Sequence, residues 1–282
     1  MALMSATIIS YGPGMADYTT FLIEKRGAVD WLTFNRPERR NAINIAMVDE
    51  LRDYFGSLCE DESTRIVVLR GAGKSFCAGL DIKEAGGDGR GQSAPFGAGM
   101  GFQGYLAEVY LRMRRCPQPI ISLVQGPACG GGFAFVLASD IRVAAESARM
   151  NAAFIRIGLS ACDMGTSYFL PRLVGTSLAS ELMLTGRFIN AERALSTGLV
   201  SEVVPDDKLK DAAQPYLDEM LTTSPMGLRL TKEGLNMAID AGSLEAAMAI
   251  ENRNQILASR TEDAKEGMRA FVEKRAPVYT GK

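Results

Sequence analysis

The chain has 282 residues, is 47% hydrophobic and 23% charged, and carries a formal net charge of -2. That profile belongs to a globular domain with or without a smaller lobe, and it speaks against nucleic acid or an anionic membrane as a partner. No apolar run reaches transmembrane length. The chain has no histidine, which excludes Ser-His-Asp, Cys-His and His-ligated metal chemistry.

Residues 1–17 are expected to be a flexible leader, because no basic residue precedes the mildly apolar Met1 to Ser10 as a secretory signal requires. Thr19 to Glu24 and Ala28 to Phe34 alternate around Arg26-Gly27 and predict a β-hairpin, stopped by Asn35-Arg36-Pro37. Arg39 and Arg40 lead into Ile43 to Cys59, where Met47, Leu51, Tyr54, Phe55 and Leu58 have helical spacing. Ile66 to Leu69 predicts a buried strand running into Gly71-Ala72-Gly73 and on to Asp81, a strand–glycine–helix junction. Gly86 to Gly104 predicts a glycine-rich loop, either a lid beside a site or plain surface.

Tyr105 to Arg115 predicts a helix and Pro119 to Val124 a buried strand. The strand meets Gly126-Pro127-Ala128-Cys129-Gly130-Gly131-Gly132, and the apolar Phe133 to Ala138 follows as a helix. A strand turning through glycines into a helix leaves bare N–H groups with no Cβ in the way, suited to a polarised or negative oxygen. The same glycines also suit tight helix–sheet packing alone. Asp140 to Ala144, Ala148 to Phe154 and Leu199 to Val204 predict short strands. Thr166 to Val174, kinked at Pro171, and Leu178 to Thr185 predict helices, and Asn190 caps Ala191 to Thr197 ahead of Gly198.

After Pro205 the pattern is helical throughout. Ser224 caps a helix with Pro225 first, another runs from Leu244 to Ser259, and Thr261 caps a third with Glu262 and Asp263 in its first turn. The expected division is a core over 18–205 and a helical lobe over 206–282, whose apolar residues need the core or a neighbouring subunit to cover them. Cys59, Cys77, Cys116, Cys129 and Cys162 are odd in number and lack metal-site spacing, as expected of reduced thiols in the cytoplasm. Cys129 has no histidine to serve as its base.

Together these motifs resemble the crotonase (enoyl-CoA hydratase/isomerase) superfamily. The likeness runs from Phe34-Asn35-Arg36-Pro37 through Ser75-Phe76-Cys77-Ala78-Gly79-Leu80-Asp81-Ile82 to Gly126–Gly132. It continues through Ser139–Ala144, Leu170–Gly175 and Gly198-Leu199-Val200 to Ala270–Pro277. The resemblance implies an α/β fold, a spiral of ββα turns followed by a helical trimerisation lobe, assembled as a homotrimer or a dimer of trimers. It implies an acyl-CoA thioester as substrate, with coenzyme A as part of that substrate and no separate cofactor or metal. The Leu80 and Gly131 N–H groups would hold the thioester oxygen as an enolate develops, a preorganised pair of donors for transition-state charge. The backbone from Ala78 through Asp81, Ile82 and Lys83 would line the CoA adenine and pantetheine. Arg40 and Lys274 would lie near its phosphates, unless they are ordinary surface charges.

The family's two hydratase glutamates correspond to Ala134 and Phe154, neither of which can move a proton. The nearest replacement is Asp163 in Ala161-Cys162-Asp163-Met164-Gly165-Thr166, a segment similar to the dienoyl-CoA isomerases but one residue longer from Gly158. Asp163 could be the acid–base group or the N-cap of the Thr166 helix. Asp81 suits a helix cap. Three functions fit: an enoyl-CoA hydratase/isomerase-type enzyme using Asp163, a crotonase-fold enzyme of thioester hydrolysis or C–C cleavage, or a non-catalytic acyl-CoA-binding homologue.

Overall fold

The structure, a computed structural model, describes residues 18–84 and 96–282. Nine strands are found among them: β1 (Phe21–Arg26), β2 (Val29–Phe34), β3 (Ile66–Gly71), β4 (Ile120–Val124), β5 (Pro127–Cys129), β6 (Ile141–Ala145), β7 (Arg149–Asn151), β8 (Ile189–Asn190) and β9 (Glu202–Val204). The helices are α1 (Ile45–Ser57), α2 (Phe96–Arg115), α3 (Gly131–Ala138), α4 (Thr166–Thr185), α5 (Ala191–Ser196), α6 (Gln214–Leu221), α7 (Pro225–Ala238), α8 (Leu244–Ser259) and α9 (Glu262–Glu273).

The larger sheet runs β1-β2-β3-β4-β6-β9 and the smaller β5-β7-β8. β1 and β2 form the expected antiparallel hairpin, and every later pair in the larger sheet is parallel. Three successive units share one plan. β3, β4 and β6 each place a long strand in the larger sheet. Each is followed by a short segment in a second layer: Cys77, which bridges Ala128, then β5, then β7. Each unit closes with a helix, α2, α3 or α4, which is the expected spiral of ββα turns.

The larger sheet is covered on both faces, so β2 and β4 are buried along their whole length. One core packs Leu32, Phe34, Val67 and Leu69 against Met47, Leu51, Tyr110 and Phe133 from the helices. The opposite core packs Trp31, Val68 and Ile121 beneath Leu209, Ala213 and Leu217, so the chain just after Pro205 closes the outer face of the sheet.

Several expected boundaries shift. α2 begins at Phe96, so the latter part of the predicted Gly86–Gly104 loop is helical, while residues 86–95 and the expected leader lie outside the described residues. The strand expected over Ala148 to Phe154 stops at Asn151, and Ala153–Ile157 forms a 3-10 turn that swings Phe154 inward. The break in α4 falls at Gly175 (φ 77°, ψ 162°), whereas Pro171 stays within the helix. β9 starts later than the predicted strand, at Glu202. No helix follows Asp81 within residues 82–84; its carboxylate closes only a turn, accepting from the Glu84 N–H at 3.3 Å. The caps at Asn190, Ser224 and Thr261 form as predicted.

α7 is fastened to the core by Lys232. Its buried ammonium donates to the Gln118 carbonyl at 2.8 Å and the Met113 carbonyl at 3.1 Å, and pairs with Asp140 at 2.9 Å. In α9, Asp263 accepts from the Thr280 and Gly281 N–H groups at 2.7 and 2.9 Å, tying down the end of the chain. Among the described residues no helix is long and apolar enough to cross a membrane.

Candidate active site

Two turns of backbone meet at one apolar pocket. Ile43 N–H donates to the Gly79 carbonyl and Asp81 N–H to the Ile43 carbonyl, both at 2.8 Å. The Leu80 N–H between them has no partner among the described residues. Gly131 is the first residue of α3, where an N–H has no acceptor one turn back, and it too is unpaired among the described residues. Gly130 makes the turn with φ 51° and ψ −117°, a conformation open to glycine because it lacks a Cβ. The turns are locked together by Cys129 N–H donating to the Cys77 carbonyl at 2.9 Å. A Cβ at Gly79 would lie only 3.6 Å from the Gly131 nitrogen.

Leu80, Gly131, Phe154, Asp163 and Met164 all line this pocket, a cavity of about 120 Å³. Burial pushes the Asp163 carboxyl above its ordinary range, while the Met164 N–H and the Gln103 amide pull it back only in part. Both donors bind Oδ1, Met164 N–H at 2.7 Å. Met164 sits at φ 48°, a conformation a side chain rarely adopts and one typical of functional sites. The cap role open to Asp163 in the sequence is not taken: Gly165 is the N-cap of α4 and receives no side-chain bond. Ala134 is fully buried within α3, and the edge of the Phe154 ring lies 3.5 Å from where a Gly130 Cβ would stand.

The remaining candidates are spread around the pocket's mouth and beyond it. Ala78 and Ile82 line the pocket. Ala78 N–H donates to the Arg40 carbonyl at 3.0 Å. Arg40 and Lys83 are exposed, and Lys274, also exposed, ends α9 in a left-handed conformation away from the pocket lining. The Asp81 side chain is buried and faces Arg36 at 3.2 Å. Cys129 is no ready nucleophile, since burial raises its thiol against the weaker pull of Arg149 and Arg40.

Five residues that the sequence analysis gave no part in the site hold it in shape. Arg36 donates to the Ala42 carbonyl and pairs with Asp81 and Glu84, the latter at 2.5 Å. Asn44 reaches Glu84 at 2.9 Å, so the 78–84 turn is clamped to the start of α1. Asn41, completely buried, donates to the Ser75 carbonyl at 2.8 Å and the Ala72 carbonyl at 2.9 Å. On α2, Gln103 donates to Asp163 and the Tyr110 hydroxyl to the Gly131 carbonyl at 3.0 Å. Asn41 followed the Arg-Pro turn and had a legible signal as a turn residue. Gln103 had none, lying 60 residues from its partner.

Donors fixed before charge arrives suit a reaction that builds negative charge on oxygen. Fold and donor pair together define an enzyme of the crotonase superfamily. The chain belongs to the enoyl-CoA hydratase/isomerase family, whose pattern it matches over residues 24–282. It is 42% identical over 263 residues to a probable enoyl-CoA hydratase of Mycobacterium tuberculosis, spanning 90% of each chain. It is 35% identical over 268 residues to the 1,2-epoxyphenylacetyl-CoA isomerase of Escherichia coli K12, covering 95% of this chain and 100% of that one. The crystal structure of an enoyl-CoA hydratase from Bacillus anthracis superposes with a TM-score of 0.86 at 31% identity, over 94% of this chain and 100% of the other.

Proposed function

We propose that this enzyme shifts a proton within an unsaturated acyl-CoA thioester, an isomerisation in which Asp163 is the single acid–base group. The observation that carries the proposal is the shared pocket: Asp163 lines it with Leu80 and Gly131, whose N–H groups are unpaired among the described residues, while the two glutamate positions hold Ala134 and Phe154. Asp163 takes a proton from a carbon activated by the thioester, and the electron pair moves onto the thioester oxygen between the two N–H donors. Each such donor supplies about 3 kcal/mol to the transition state. The enolate then recovers the same proton at another carbon and the double bond moves. No atom is gained or lost, so no second acid or activated water is needed. A relative named as an isomerase of a CoA thioester favours this class.

Coenzyme A enters as part of the substrate, with the backbone from Ala78 to Lys83 along its adenine and pantetheine and with Arg40 and Lys274 toward its phosphates. The lobe over 206–282 leaves Leu235, Leu244, Ile256, Phe271 and Val272 exposed, an apolar surface that assembly into a homotrimer or a dimer of trimers would cover. A cytoplasmic location accords with its five unpaired cysteines.

The test compares isomerisation of a short 3-enoyl-CoA with hydration of crotonyl-CoA, both followed by enoyl-thioester absorbance, in wild type and Asp163→Asn. Isomerisation should be present and fall about 100-fold or more in the amide variant, with hydration far slower. Vigorous hydration that survives in Asp163→Asn would defeat the proposal.

A further inference from the structure

We infer that Gln103 is a positioning residue for the acid–base carboxylate, fixing Asp163 from α2 so that one oxygen is engaged and the other faces substrate. This rests on Asp163 being the acid–base group proposed above. The Gln103 amide and the Met164 N–H both donate to Oδ1, and Oδ2 has no hydrogen-bond partner among the described residues. A carboxylate held by one oxygen keeps its other lone pairs for a proton in flight, and two donors on that one oxygen restrain its rotation.

The spacing on α2 gives the contact its meaning. Gln103, Leu106 and Tyr110 fall on one helical face. Leu106 lines the pocket, and Tyr110 donates to the Gly131 carbonyl, on the residue whose N–H is one of the two oxyanion donors. One rigid element therefore sets the distance between the proton-transfer group and the charge-stabilising group. A misplacement of an ångström between such groups costs about 100-fold in rate. Around the Asp163 carboxyl, Tyr110 on α2 is the titratable side chain it influences, and Cys162 adjoins it in sequence but is exposed. The other side chains that line the pocket with Asp163, Leu106, Phe154, Ile157, Leu159 and Met164 among them, are apolar, and none can take over the amide's role.

The experiment uses the full-length enzyme with 13C-carboxyl-labelled aspartate, in wild type, Gln103→Leu and Gln103→Glu. Gln103 is exposed, so both variants should fold. The Asp163 titration should move to higher pH in Gln103→Leu, and further in Gln103→Glu, where a like charge replaces the donor. On a short 3-enoyl-CoA, kcat should fall roughly ten-fold with KM little changed, and the acidic limb of the kcat profile should move upward with the titration. An Asp163 titration identical in wild type and Gln103→Leu overturns the inference. Undiminished turnover in Asp163→Asn overturns instead the acid–base assignment, and a titration shift would then leave Gln103 with a structural contact only.

Discussion

Gly132 lies so close to Cys77 that a Cβ at position 132 would stand 2.1 Å from the Cys77 carbonyl oxygen. This contact seats the first turn of α3 against the segment that leads to Leu80, and so brings the Leu80 and Gly131 N–H groups together. Gly132→Ala must push these segments apart. Overpacking of this kind costs about 1–3 kcal/mol and sometimes more. Turnover should fall further than stability does, because the donor spacing is what changes. Urea denaturation and steady-state kinetics on the same preparation check this, and equal losses in the two would argue against it.

By the resemblance drawn from the sequence, Phe154 and Ala134 stand where the family's hydratases carry carboxylates. Ala134→Glu/Phe154→Glu should gain measurable hydration of crotonyl-CoA, because two carboxylates can then activate and protonate across the double bond. Losing the buried phenyl ring costs about 3–5 kcal/mol, so the assay belongs well below the melting temperature. A folded double variant with no hydration would mean that the loop carrying Phe154 sets the wrong carboxylate geometry.

Burial holds the Asp163 carboxyl above the ordinary carboxylate range. Its folded value exceeds its unfolded value, so its contribution to stability is greatest below the unfolded value and declines as pH rises to the folded one. Above that window the buried carboxylate therefore opposes folding. Asp163→Asn keeps the two bonds accepted at Oδ1 and removes the charge. It should melt above wild type at pH 7 while losing turnover, the trade expected of a strained functional group. Calorimetry across pH 4–8 would show the difference; a lower melting temperature throughout would contradict it.

Asp61 behaves in the opposite sense. Burial raises its carboxyl, but the Ser63 and Thr64 hydroxyls, the Ser63 N–H and Lys25 outweigh this and hold it at about 2 against an ordinary 3.8. A lowered value stabilises the fold above the unfolded value, and that stability is lost as pH falls from about 4 to about 2. The Asp61→Asn variant should lose stability at neutral pH and show a flatter decline over that acidic window. The dependence of melting temperature on pH tests it.

Lys232→Met removes the ammonium that joins α7 to the Met113 and Gln118 carbonyls and to Asp140. The carbonyls lose a buried donor, while Asp140 keeps Arg114 and the Ile120 N–H. A loss of about 3 kcal/mol is expected. It should appear first as faster amide exchange in α7, and protection unchanged there would count against this fastening.

Short-range chemistry was legible from residue order. The hairpin, the caps at Asn190, Ser224 and Thr261, and the glycine turn into α3 each depend on neighbours within a few positions. The beginning of α2 was missed because glycines at 97, 99, 101 and 104 signal a loop, yet the helix persists through them. Asp163 was open between two roles because a carboxylate ahead of a helix suits both; in the folded chain its side chain caps no helix and lines the pocket.

By itself, then, the sequence determined the ββα spiral, the family, and a chemistry that must proceed without histidine. Local backbone preference, hydrophobic period and residue identity are properties of the chain in order. Tertiary structure alone decided that Leu80 and Gly131 share a pocket with Asp163, that Arg36 and Asn41 clamp the turns supplying those donors, and that α2 reaches both Asp163 and Gly131. Those contacts join residues distant in the chain, and packing of the spiral creates them.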